Sequence, residues 1–558
     1  MIRRARPLPV LVALAALAGC RATPPREVPV AGATGAPLLE SIARYSRPIS
    51  TDSPDAQRWF DQGLVWLFGF NHDEAVRSFT EAAAHDPDHP MPWWGIAFAH
   101  GMNINDPKMP RERWKLARHA ADQALLRIQN GNDAEQALVR AVSARSTWPP
   151  PREQAKYDRR YAGAMREVHL RFPGDPDIAC FYAESLMNLQ PWNYWTKSGE
   201  PKGRIEEIIG VLQTAMARHP GHPGLDHLYI HAVEASSFPE AAVPAADRLK
   251  DAVPGSGHLV HMPSHIFVRV GRYAESSDLN ERAADADRAY FKDAPAPGLY
   301  AMYYAHNIHF IAYSCMMEAR AERAIEAARA LESEIPEAAL REYAPLIEGL
   351  TSTTFHALVR FGRWEEVLAE PGRPDFRLFT NAVRHSARGV ALAALGRPSE
   401  ARVEQRLFEE AAARVPAEWF VMQNKAHDIL PIARAMLEGE ILFREGRREE
   451  AFAALRKGIE AEDNLVYDEP PGWMLPVRHA LGALLMADGR FKEAESVYRE
   501  DLAIHRDNGW SLLGLTQALE AQGRAAEATR YAPLLAAAWR RSDANATSSC
   551  FCAPRASR

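Results

Sequence analysis

The chain repeats itself. Gly489 and Ala494 are followed one period of 34 residues later by Gly523 and Ala528, and Leu481, Gly482 and Tyr498 stand around the first pair. Gly439, Gly446, Ala451 and Leu455 make another unit, as do Gly389, Gly396 and Ala401. Weaker units lie at Gly362 with Trp364, at Gly271 with Tyr273 and at Ala319 with Ala324. A period of this length belongs to a supersecondary unit that buries its apolar face only by stacking on neighbours. Runs of alternating apolar and polar residues are lacking, so the expected class is all-α. The tripeptides Phe361-Gly362-Arg363, Val270-Gly271-Arg272 and Leu395-Gly396-Arg397 mark helix ends, where glycine takes the left-handed cap.

Between Ala56 and His89 the marks Trp59, Gly63, Trp66, Ala75, Phe79 and Pro87 resemble the tetratricopeptide repeat, a helix-turn-helix unit. The resemblance runs from about Asp55 to Tyr531, except for the segment from Asn103 to Pro176 and the aromatic insert Gln190-Pro191-Trp192-Asn193-Tyr194-Trp195. It implies a helical-repeat solenoid with a concave groove. The expected divisions are a signal over 1–19, a lipid-anchored linker over 20–45 and an N-terminal helical region over 46–176. Central repeats over 177–335, C-terminal repeats over 336–535 and a disordered tail over 536–558 complete them. The stretch Gly257-His258-Leu259-Val260-His261-Met262-Pro263-Ser264-His265 also resembles bacterial lipoprotein-type repeat proteins, a likeness that implies no activity.

In the tetratricopeptide family the first helix of each unit faces the groove through its second, fifth, ninth, twelfth and thirteenth positions. Placing Gly271 at the loop starts a unit at Gly257 and sets His258, His261 and His265 on groove positions. One period earlier, His227, His231 and Glu234 fall on them, and the following unit presents His306 and His309, with Tyr313 beside them. Of 20 histidines, eight lie between His222 and His309, and seven of those take groove positions. Residues four and seven apart share one helix face, so each set forms a stripe. Neutral imidazole with a carboxylate suits zinc, copper or iron. His231, Glu234, His261 and His265 are the first-choice ligands, because their positions sit nearest the groove midline. His227, His258, His306 and His309 come second. The order His-x3-His-x2-Glu lacks the glutamate directly after the first histidine, so the zincin motif is not met. Tyr304, Asn307 and Tyr313 are expected to line the ligand site, and Trp192 and Trp195 either cover it as a lid or cap a hydrophobic end. The turn Val253-Pro254-Gly255-Ser256-Gly257 leads into a helix start and reads either as an anion site or as a plain inter-repeat loop.

At the N-terminus, Met1-Ile2-Arg3-Arg4-Ala5-Arg6 precedes an apolar run from Leu8 to Leu17 and then Leu17-Ala18-Gly19-Cys20. That is a secretory signal too short to span a bilayer permanently, and its last four residues resemble a lipobox. The expected product is lipidated at Cys20 and held on the periplasmic face of the outer membrane. Net charge is −6 with acidic and basic residues well mixed, which leaves no electrostatic footprint for nucleic acid. Cys180, Cys315, Cys550 and Cys552 are too few and too scattered for a disulfide framework.

Three functions compete. The first is a groove that binds a ligand at a histidine-rich, transition-metal centre. The second is a metal-free scaffold for a peptide or protein partner, the usual employment of the family. The third is a metal-dependent enzyme acting on a small substrate. Function belongs to the site rather than to the fold, which favours the first and leaves catalysis open.

Overall fold

A computed structural model describes residues 35–42, 44–293 and 298–553. Cys20 and the signal segment lie outside them. The described residues form helices joined by turns and loops, and the only strands among them are the two-residue pair Phe420–Val421 and Asn424–Lys425. The all-α class expected from the repeat is what the chain adopts. Among the described residues no helix is long and apolar enough to cross a membrane. Contacts divide the chain into two compact units, one of Met1–Ile266 with Arg282–Tyr304 and one of Phe267–Glu281 with Ala305–Arg558.

The repeat marks act through packing of small against large residues. In the second unit, the Tyr498 ring of helix Phe491–Ile504 lies between Gly482 of helix Val477–Ala487 and Gly514 of helix Gly509–Ala521. A Cβ on either glycine would come within 2.4 Å of that ring, so the helices close only because no side chain is there. In the first unit, Phe79 of helix His72–His85 fills the same place between Gly63 and Gly95. Turns between paired helices reuse one device. Gly489 has φ +75°, letting its own N–H reach the Met486 carbonyl and that of Arg490 reach Leu485. Side-chain caps open other helices: Ser53 accepts from the Ala56 N–H, Asn71 from Glu74 and Asn508 from Ser511.

Two expected loose ends are packed. At the end of the linker, the Leu39 N–H donates to Gln62 Oε1 at 2.7 Å and the Ser41 carbonyl accepts from Gly255. The tail, expected to be disordered, is built onto the second unit through its described part. Arg541 binds Asp278 and Glu318, and the Asp543 carboxylate caps helix Ala321–Glu334. Further on, Ser549 is buried against Tyr498, and Phe551 packs on Trp510. Low-complexity composition signals disorder only where nothing offers the segment partners. Here two aromatic rings and several buried polar groups do so.

Candidate functional site

Helix Pro223–Val233 carries two of the histidines through the core of the first unit, where it packs on helices Pro54–Phe68, Pro176–Met187 and Ile205–Arg218. His222 caps its start, accepting from the Leu225 N–H at 3.1 Å while its other ring nitrogen meets Asp177. That histidine is structural. His227 and His231 follow on the buried face, and Glu234 stands at the helix end. The second stripe runs along two short helices, Gly257–His261 and Pro263–Arg269, with Met262 at the break. Proline at 263 cannot donate to the preceding turn, so the chain is interrupted between His261 and His265.

The imidazoles are buried, not displayed along an open groove as expected. His227 and His261 are fully buried, and His231, His258 and His265 nearly so. Three aromatic residues of the same unit cover them. The Phe70 ring lies 4.6 Å from His227, 5.9 Å from His231 and 5.7 Å from His258, centroid to centroid. Tyr303 lies tilted over His258 at 4.2 Å, and Trp192 meets His231 edge-on at 5.1 Å. Phe70 (φ +56°) and Trp192 (φ +62°) both hold left-handed backbone conformations, which cost a non-glycine residue about 1–3 kcal/mol each. Strain of this kind persists only where surrounding structure imposes it, and both residues sit against the same histidine.

Hydrogen bonds fix the tautomers. His227 Nδ1 lies 2.6 Å from the Phe68 carbonyl, which can only accept, so Nδ1 carries the proton. His231 Nδ1 lies 2.8 Å from Glu234 Oε1 and donates likewise. In both rings Nε2 is buried and without a hydrogen-bond partner, and in His227 it is left with a lone pair. Neither ring nitrogen of His258 has one either. One ring nitrogen from each of His227, His231 and His258 lies within 4.8 Å of the others. Burial, then mutual repulsion, drives His227 and His258 well below the ordinary histidine range, so both are neutral.

Glu234 stands behind this triad. Its second oxygen is 3.0 Å from His265 Nδ1, and His265 Nε2 is 2.9 Å from His261 Nε2. Burial would raise the Glu234 carboxyl, but His231 and His265 outweigh burial and hold it well below the carboxylate range. The result is a continuous chain from His261 through His265 and Glu234 to His231. Of the first-choice ligands, then, His231 joins the triad, while Glu234, His265 and His261 form the chain that leads to it.

The remaining expected ligands do not join the triad. His306, His309, Asn307 and Tyr313 belong to the second unit, where His309 is buried and held down to about 3. Tyr304 packs against Phe291 and Arg288. Trp195 donates from Nε1 to the Ala232 carbonyl at 2.8 Å, fastening the insert to the histidine helix, while Trp192 reaches the site itself. The turn before His258 follows the plain-loop reading: the Gly255 and Ser256 N–H groups bond to Ser41 and Val253, and Ser256 caps Leu259. Asp287 occupies the helix start, so close that a Cβ on Gly257 would meet its carboxylate. A carboxylate of the chain itself therefore takes the place an anion would fill. Phe68 and Phe70 were not legible as site residues. The signal available was Gly69 between two aromatics in a helix-ending turn.

The tetratricopeptide repeat family matches residues 477–509, the glycine-tyrosine hairpin described above. Residues 477–509 thus match one tetratricopeptide repeat. Among solved structures, the human IFIT1 dimer with PPP-AAAA is 12% identical, covering 88% of this chain and 91% of that chain at TM-score 0.30. The yeast Tom70 structure is 11% identical, covering 87% and 92% at TM-score 0.29. At those scores the likeness bears on neither site nor function. No curated protein matches the chain in sequence.

Proposed function

We propose that the first unit binds one transition-metal ion through His227, His231 and His258. The observation that carries this reading is the set of buried, unpartnered ring nitrogens converging from two helices. Each buried polar atom left unpaired costs about 1–3 kcal/mol, and a cation shared among these rings would offset all three at once. The bonds behind the rings fit the same reading. Metal-bound histidines as a rule donate their other ring N–H to a carbonyl or carboxylate, the places Phe68 and Glu234 take here. Three imidazoles without a fourth protein ligand suit zinc, copper or iron and leave a coordination position for water or a small ligand.

Lipidation at Cys20 and an outer-membrane, periplasm-facing location belong to the same proposal. They would make this an envelope protein that captures or uses a metal. Mass spectrometry of the mature N-terminus tests that part. The second reading, a metal-free scaffold for a protein partner, is favoured by the repeat match over residues 477–509.

Cobalt(II) titration of the protein separates the two. The proposal expects saturable visible absorption at one equivalent, displaced by zinc and lost in His231→Ala. Absorption absent from the wild type, or unchanged in His231→Ala, returns the histidines to a packing role.

A further inference from the structure

The packed tail brings two cysteines back onto the repeats of the second unit. Cys550 and Cys552 are joined as a disulfide. Cys550 is half-buried, whereas Cys552 is 1% exposed. Beneath them, helix Ala426–Arg444 presents Glu440, itself 2% exposed. One Glu440 oxygen and the two sulfurs lie within 4.8 Å of one another. Neither carboxylate oxygen has a hydrogen-bond partner. Arg444 stands 3.9 Å away, and its guanidinium donates to the Cys552 carbonyl, holding the tail in place.

A buried carboxyl with no hydrogen bond, set against one half-buried and one enclosed sulfur, suits thiol exchange. The outer sulfur can be attacked, and the inner one must leave as a thiolate that needs a proton. We propose that Cys550–Cys552 is a redox-active disulfide that exchanges with the dithiol of a peptide or protein, with Glu440 as the proton donor to Cys552. Burial, partly offset by Arg444, pushes the Glu440 carboxyl up to about 7, so a proton is at hand near neutrality.

The exchange balances in two steps. A thiolate of the partner attacks Cys550 Sγ, forming a mixed disulfide and breaking the bond to Cys552. Cys552 Sγ leaves with the electron pair and takes the Glu440 proton. The partner's second thiolate then attacks its own sulfur in the mixed disulfide and releases Cys550, which takes a proton from solvent. The partner dithiol ends as a disulfide, two electrons pass to the cysteine pair, and solvent returns the proton to Glu440. The reverse sequence oxidises the pair, with Glu440 accepting from Cys552.

The test uses the full chain, purified without reductant, with dithiothreitol as the dithiol probe and alkylation with mass spectrometry as the readout. Reduction should slow about a hundredfold in Glu440→Gln, the loss of a positioned general acid, with helicity and melting unchanged. Reduction at the wild-type rate would overturn the proposal. Where Glu440→Gln melts early, capture of oxidised glutathione carries the test instead. Cys552→Ser, which retains Cys550, should form the mixed disulfide readily, and Cys550→Ser should not. Equal capture by the two variants would overturn the assignment.

Discussion

Glu234 shows most clearly how one residue's role depends on what surrounds it. Sequence spacing makes it a ligand, because it shares a helix stripe with His227 and His231. Its carboxylate is instead occupied by His231 and His265, and so orients a ring rather than facing a metal directly. Glu234→Gln should therefore weaken metal binding about 10–100-fold without abolishing it. Competition titration against a chelator measures that, and loss as complete as in His231→Ala would make Glu234 a direct ligand. Glu184, buried beside Asn188, gives a second prediction at this scale. Burial raises its carboxyl to about 7, so the folded chain holds a proton that the unfolded chain releases above about 4.5. Stability contributed by the protonated form falls as pH rises between those values. Glu184→Gln lacks the penalty, and its advantage over wild type should grow by about 1.4 kcal/mol per pH unit across that window and then level off. Urea unfolding at several pH values checks the trend, and a constant difference would contradict it.

At the scale of elements, the repeat and its glycine-capped turns were readable, and the closure over the histidines was not. Gly482, Tyr498 and their equivalents mark where small and large residues must alternate, which is a requirement of packing that sequence records directly. Gly482→Ala pushes a Cβ into the Tyr498 ring and should cost about 1–3 kcal/mol in urea unfolding. A neutral result would show that the hairpin tolerates wider spacing. The histidine stripes were equally legible, since helical periodicity fixed which residues share a face. What lay beyond the sequence was depth. A groove position in one unit becomes a buried position when the turn after Phe68, the insert at Trp192 and the segment bearing Tyr303 close over it. Those contacts join residues distant in sequence, Phe70 and His227 by more than a hundred positions, with left-handed backbone at Phe70 and Trp192, and no local pattern announces either. The break at Met262 is a smaller case. Pro263 was visible, but that it would separate His261 from His265 into two helices depended on packing.

For the whole molecule, the two units carry different chemistry. The first encloses the imidazole triad, and the second carries the repeat match and the cysteine pair over Glu440. Composition indicated neither, because net charge and cysteine count constrain partners and compartments rather than interior sites. A metal bound only by the folded chain must also stabilise it, by about 2.7 kcal/mol at a free concentration a hundred times Kd. Calorimetry should show the transition rise on adding metal to the stripped protein and fail to rise in His258→Ala. The most direct measurement is the metal content of the full chain, purified without a histidine tag and dialysed against zinc, copper or iron in turn. The account predicts close to one ion per chain, lost in His227→Ala/His258→Ala with helicity retained. A wild-type protein that stays metal-free, or a double variant that keeps its ion, would contradict it.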